Sequence, residues 1–222
     1  MTHILLQPVQ RLLDLLNANP SLRILIALAG LPGSGKSTVA AQWAEAVNAR
    51  LGPGTMVALG MDGFHLSKAT LADFPDPAAA LARRGSPWTF DPQALALRLQ
   101  ALRGTPDLAG LVYPSVSWPG FEHGLGDPVP DAVQVSPETR LVLVEGLYLL
   151  HGGDGWDLAD AFDERWFLDV SLEVAMERLV LRHMAASSQD RAAAEARIAI
   201  NDRLNAEIVK PSRNVADWLT CV

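Results

Sequence analysis

The residues with the plainest chemistry are Gly30-Leu31-Pro32-Gly33-Ser34-Gly35-Lys36-Ser37. Their spacing is G-x-x-x-x-G-K-[ST] without a mismatch. Glycines at these positions let successive backbone N–H groups turn inward around phosphate oxygens. Lys36 supplies a cation for the outer phosphates of a nucleotide such as ATP, and the Ser37 hydroxyl supplies an oxygen for Mg²⁺. Thr38, at the start of the next element, extends the row of donors. A chance glycine turn is the plain alternative, and both residue pattern and context speak against it.

Two carboxylates complete the set. Asp62 follows the apolar run Thr55 to Met61 and precedes Gly63-Phe64-His65. There it would accept the proton of a hydroxyl attacking a phosphorus atom, or cap the next short helix. Glu145 ends Leu141-Val142-Leu143-Val144 and precedes Gly146. That places a second oxygen for Mg²⁺ beside the glycine-rich turn, with a cap or an edge ion pair as the alternative. Asp169 has the same form after Trp166-Phe167-Leu168 and reads instead as a cap for the following helix.

These side chains need elements that bring them together. Leu22 to Ala29 is continuously apolar, as a parallel strand covered on both faces must be. Thr55 to Met61, Leu141 to Val144 and Trp166 to Val170 read as further strands. Leu5, Leu6, Val9, Leu12, Leu13 and Leu16 recur at helical spacing, ending near Asn19-Pro20. Lys36 to Arg50 reads as a helix, short helices are expected around Ala69 and Ala79, and Asp91-Pro92 opens a helix to about Leu102. Glu173 to Met184 and Asp190 to Val209 read as two more. Leu111 to Tyr113 reads as a short strand. Residues 114 to 137 read as an ordered irregular excursion, with Gly126-Asp127-Pro128 a plain turn. Strands alternating with helices give an α/β fold with a doubly wound, mainly parallel sheet, whose ligands sit outside the carboxyl ends of the strands.

The bulk composition narrows the classes. With 222 residues, 49% hydrophobic and 19% charged, the chain reads as one domain over 1–222. A net charge of −7 argues against nucleic acid as a partner. Cys221 is the single cysteine, so no internal disulfide forms. The start carries neither a basic segment nor a small-residue cleavage site, and no apolar run reaches the ~20 residues that span a bilayer. A cytoplasmic protein with no membrane partner is the expectation.

Longer motifs carry a family resemblance. Met61-Asp62-Gly63-Phe64-His65-Leu66 is similar to a D-G-F segment, Arg83 to Asp91 resembles [RK]-[RK]-G-x-P-x-[ST]-[FY]-D, and Val144-Glu145-Gly146 matches V-E-G. Together they resemble the P-loop kinases that include uridine kinase, phosphoribulokinase and bacterial pantothenate kinase, and among them the bacterial fructose-transport-system kinases. The likeness runs from about Leu22 to Asp217. It implies a three-layer P-loop NTPase fold with a small helical lid at about 182–200, and ATP with Mg²⁺ as cofactors. It implies transfer of the γ-phosphate to a small-molecule alcohol, such as a sugar, a nucleoside or a pantothenate-like molecule. Asp62 is then the base, with Lys36 and Arg182 stabilising the transferring group. Arg178, Arg182 and His183 fall where relatives carry lid arginines, although arginines solvated and paired with Glu177 are the alternative; Arg191 is a further lid candidate. Pro211 and Arg213 lie in a segment similar to a P-[ST]-x-x-x-A-D loop that sits near the adenine in relatives. The acceptor side would comprise Asp62, Phe64, His65, Arg84, Tyr113 and His123, with a structural role the alternative for the two histidines. One of Trp88, Trp118 and Trp156 would line it or pack in the core.

Departures fall on that acceptor side. Glu122 stands where an Asp is usual, and Ser115 to Gly120 is longer than the usual gap. Asn201-Asp202-Arg203-Leu204-Asn205 looks like an N-D-x-x-N signature whose role does not follow from the sequence. Relatives are often dimers or tetramers, which allows a homodimer. A rival reading is a nucleotide-binding regulatory P-loop ATPase with no small-molecule acceptor. Asp62 and the Arg83 to Asp91 segment favour the kinase.

Overall fold

The computed structural model describes residues 2–104, 113–122, 124–187 and 190–221. Its strands are β1 (Ile24–Gly30), β2 (Met56–Gly60), β3 (Val116–Glu122), β4 (Asp127–Val135), β5 (Leu141–Gly146), β6 (Glu164–Leu168) and β7 (Trp218–Thr220). The helices are α1 (Thr2–Ala18), α2 (Lys36–Leu51), α3 (Lys68–Ala72), α4 (Pro77–Ala82), α5 (Pro92–Arg103), α6 (Leu172–Ser187), α7 (Arg191–Ile200) and α8 (Asp202–Val209). Five strands form one sheet in the order β2-β5-β1-β6-β7, and every pair in it is parallel.

β1 is buried along its whole length, because neighbours flank both edges and helices cover both faces. Its crossover helix α2 leads to β2, and β5 later fills the gap between the two. In register, Leu28 of β1 lies beside Glu145 of β5, which lies beside Gly60 of β2. The glycine-rich turn, Glu145 and the residues after Gly60 therefore leave the same edge of the sheet side by side. Trp166 closes the other flank, edge-on to Trp43 of α2 and to Trp218 of β7. α6, α7 and α8 pack successively against one another. Among the described residues no helix is long and apolar enough to cross a membrane.

The opposite edge is pinned by Arg23, 2% exposed and immediately before β1. Its Nε donates to Thr139 O and its Nη2 to Ser136 O, both at 2.9 Å. Its backbone N–H donates to the Tyr113 hydroxyl at 2.7 Å, and its guanidinium lies 4.4 Å from the centre of that ring. Tyr113, expected on the acceptor side, is thus a structural partner of Arg23. β1 separates it from the glycine-rich turn by about 20 Å. Arg23→Met would leave several buried carbonyls without donors, costing about 3 kcal/mol. The expected result is a thermal midpoint lower by roughly 6–12 °C; an unchanged midpoint would show that the network contributes little.

Other expectations are corrected. Residues 114 to 137 are not irregular: β3 and β4 form an antiparallel hairpin, with Val116 opposite Val135 and Glu122 opposite Asp127. Prolines hid the strand alternation, and a register irregularity between Trp118 and Gly120 absorbs Pro119. Of the strand expected at Leu111 to Tyr113, the first two residues lie outside the described residues, and Tyr113 is not in a strand. The helix expected from Asp190 to Val209 breaks at Asn201, whose φ of −134° and ψ of −72° separate α7 from α8. Asp169 is not the cap of α6. The Ser171 hydroxyl accepts from Val174 N–H, while Asp169 receives the Arg213 guanidinium at 2.8 and 2.9 Å.

Candidate active site

The turn after β1 needs two left-handed residues, Gly33 at φ 76° and Gly35 at φ 97°. At Gly33 a Cβ would also lie 2.3 Å from Ala175 O of α6, so α6 packs directly on the turn. Arg178 Nη1 donates to Ser34 O at 2.8 Å and braces the turn from outside the cavity. Lys36 is buried, and its Nζ donates to Gly30 O and Leu31 O at 3.0 Å each. The Ser34 hydroxyl is buried without a hydrogen-bond partner among the described residues. Ser37 Oγ donates to Glu145 Oε1 at 2.8 Å.

Pro32, Gly33, Gly35, Lys36, Ser37 and Thr38 form one wall of a cavity of about 420 Å³. That size suits a small-ligand site. Asp62, His65, Arg84, Glu145 and Arg182 form much of the rest. Burial pushes the Glu145 carboxyl above the usual range, against the pull of the Lys36 ammonium. Burial also pushes Lys36 down, opposed by Glu145 and Asp62. Such mutual compensation is what keeps closely placed charges tolerable in a partly dry site.

Asp62 sits in the short 3₁₀ turn Met61–Phe64 that follows β2. The hairpin holds this turn: a Cβ on Gly63 would lie 2.1 Å from Pro119 O, so only glycine lets the two backbones approach. His65 Nδ1 donates to Asp62 O at 2.8 Å, which fixes the ring while leaving the Asp62 carboxylate in the cavity lining. The His65 ring also stacks 3.9 Å from Phe90 and 4.7 Å from Phe121. Leu66 N–H donates to Thr89 O, and Asp91 N–H to Phe64 O, so two loop segments are zipped together.

The expected acceptor residues divide. His65 and Arg84 line the cavity. Phe64 does not: it is 4% exposed and packs edge-on against Trp118 at 5.0 Å, inside the core. His123 lies outside the described residues. Trp118 and Trp156 are core residues, donating to Gly60 O and Pro87 O, and Trp88 is 47% exposed. Arg84 Nη2 donates to Leu66 O at 2.8 Å and Asp127 Oδ1 at 2.7 Å. Asp127, expected in a plain turn, is an anchor; the Lys68 N–H and the Arg84 guanidinium hold its carboxyl below its ordinary range. On the nucleotide side Arg182 lines the cavity, whereas Pro211 and Arg213 do not. Arg191, the further lid candidate, is paired with Glu177 and Glu195.

The asparagines of the N-D-x-x-N segment gain a role. Asn201 Nδ2 donates to Arg84 O at 2.9 Å, and Asn205 Nδ2 to Gly85 O at 3.1 Å. Arg83 returns the contact, donating to Ile200 O at 2.7 Å and Asn205 Oδ1 at 3.2 Å. Tyr148 adds a 2.7 Å bond from its hydroxyl to Gly85 O. The loop Arg83 to Ser86 is thereby latched to the joint between α7 and α8. Asn201 immediately precedes α8 and Asn205 lies in its first turn, so both amides reach the same loop; nothing in the sequence pointed to Tyr148. Asn205 is 2% exposed, and Asn205→Ala strands partners on both sides of the latch. A loss of about 2 kcal/mol in denaturant unfolding is expected; a loss within error would mean the loop holds its shape without the latch.

No family model matches the chain. ATP-dependent kinase-like protein notR' of Aspergillus versicolor is 44% identical over 155 residues, covering 69% of this chain and 88% of that protein. "Putative uridine kinase C227.14" of Schizosaccharomyces pombe is 39% identical over 163 residues, covering 73% of this chain and 67% of its own. The chain belongs to the uridine kinase-like P-loop kinases. A crystal structure described as "putative fructose transport system kinase from Silicibacter sp. TM1040" superposes on this kinase with a TM-score of 0.82 and 33% identity, covering 96% of each chain. The kinase thus has the three-layer α/β fold of that group, and its glycine-rich turn is the group's P-loop. Among its described residues no group of three or more His, Cys, Asp or Glu side chains could hold a metal ion. Ser37 and Glu145 offer two oxygens side by side. A pair of hard oxygen donors suits Mg²⁺, which takes its remaining ligands from phosphates and water.

Proposed function

We propose that this kinase moves the γ-phosphate of ATP to a hydroxyl of a small molecule. One observation carries the reading: the Asp62 carboxylate shares a single cavity with the P-loop, Lys36, Glu145 and Arg182. The P-loop amides and Lys36 hold the phosphates. Lys36 is already desolvated and aimed along the turn, so little reorganisation precedes binding. Ser37 and Glu145 hold Mg²⁺, which supplies neutralisation of the phosphate oxygens when bound. Asp62, beyond Glu145, orients the acceptor hydroxyl and takes its proton as the oxygen attacks. Arg182 approaches from α6 and stabilises the transferring charge. Catalysis is mainly positioning and electrostatics.

The regulatory ATPase reading gains no specific support: it gives no role to the second cavity that adjoins Asp62. The test is ADP release with Mg²⁺·ATP against a panel of sugars, nucleosides, pantothenate and glycerate. Stimulation by one class supports the kinase. No stimulation by any alcohol, with a protein partner altering nucleotide affinity, would favour the regulator.

A further inference from the structure

We infer that the acceptor carries an anionic group, a carboxylate or a phosphate ester, and that Arg197 of α7 receives it in a second chamber beyond Asp62. The inference rests on the kinase reading above and narrows its substrate class.

The chamber has a volume of about 380 Å³ and is bordered by Asp62, His65, Arg84, Phe121, Arg197 and Asn201. Four of these, Asp62, His65, Arg84 and Asn201, also line the phosphate cavity, so the two spaces meet around Asp62. A molecule that places a hydroxyl at Asp62 and extends away from the P-loop enters this chamber.

The chamber's charges are unequally answered. Arg84 is neutralised by Asp127 at 2.7 Å. Arg197 makes no hydrogen bond or ion pair with any described residue. Arg191, on the same helix, is by contrast held by Glu177 and Glu195. Asp202 feels the charge of Arg197 without pairing with it, and Asp202 is itself 3.9 Å from His183 Nε2. Arg197, exposed on α7, borders a chamber where Arg84 is already neutralised and Asp62 is reserved for a hydroxyl. A planar fork of N–H donors matches a carboxylate or phosphate group.

The position on α7 adds a consequence. Asn201 ties the end of α7 to the Arg84 carbonyl. An anion that draws Arg197 inward pulls on the same joint that holds the acceptor loop. Arg182 meanwhile faces the phosphate cavity, so two arginines of the α6–α7 pair serve two separate negative charges.

Matched pairs test this on the full chain: glycerate against glycerol, pantothenate against pantothenol, and ribose 5-phosphate against ribose. Binding is measured by calorimetry with Mg²⁺ and a non-hydrolysable ATP analogue present, so that the P-loop is occupied. ADP release is measured separately with ATP. We expect one acidic member to bind at least about tenfold tighter than its neutral partner. The carboxylate and phosphate pairs report which anion is preferred. Arg197→Gln should erase that difference and Arg197→Lys should restore part of it, with the Kd of the ATP analogue within about twofold throughout. The preference should also shrink with added salt. The proposal is overturned if acidic members bind no better than neutral ones, or if Arg197→Gln weakens the nucleotide instead of the acid. If an acid binds through Arg197 but stimulates no ADP release, the chamber stands and the kinase reading fails.

Discussion

Asp62→Asn is expected to lower phosphate transfer by about 10²- to 10⁴-fold, the range removed with a general base, while ATP affinity stays within about threefold of the parent. The structure makes the substitution a chemical one. The bond that fixes His65 is accepted by the Asp62 main-chain carbonyl, not by its side chain. Gly63 and the hairpin backbone hold the turn irrespective of the residue at 62. Asn keeps the size and loses the proton acceptor. Single-turnover transfer and nucleotide titration on the same preparation separate the outcomes. A large loss of ATP affinity would place Asp62 on the metal or in the architecture of the turn, and full activity would remove it from the reaction.

Lys36→Ala is expected to weaken ATP binding by about 10- to 100-fold, the loss of charge-assisted contacts to phosphate. Transfer should fall by at least about 10² beyond that, because charge develops on the oxygens Lys36 faces. Stability should move the other way. The Lys36 ammonium is buried against two carbonyls, with Glu145 as its first compensating charge. Burying a cation is costly even when partnered. Without nucleotide, Lys36→Ala should unfold at the same temperature as the parent or higher, and the rise in midpoint on adding Mg²⁺·ATP should largely vanish. A variant that unfolds several degrees lower without nucleotide would show that Lys36 shapes the turn rather than waiting for phosphate.

Asp62 and Lys36 are both legible in the amino-acid sequence, and that legibility has a physical basis. A phosphate cradle is local. Its glycines, lysine and serine lie within eight consecutive residues, and strand and helix on either side obey short-range rules. The buried strands were equally plain, since a parallel strand covered on both faces is apolar at every position. Asp62 and Glu145 were located because residues following such strands leave the sheet at one edge.

The acceptor side was legible only in outline, because its side chains are sorted by contacts between distant segments. Phe64, beside Asp62 in the chain, points into the core because Trp118 arrives from the hairpin. Tyr113 resembles an acceptor residue by motif, yet Arg23 claims it at the far edge of the sheet. Asp127 looked like a turn residue until Arg84 and Lys68, 43 and 59 positions away, converged on it. The asparagine latch joins residues 117 and 120 positions apart. By itself, the amino-acid sequence determined four of the sheet's five strands, the phosphate cradle and the two carboxylates beside it, since each follows from local pattern; the short edge strand Trp218–Thr220 was not legible. Only the tertiary structure decided which side chains line the two cavities, and left Arg197 at the second chamber with no hydrogen bond or ion pair to a described residue. Those outcomes depend on long-range packing and on which charges find partners, and no short window of sequence contains either.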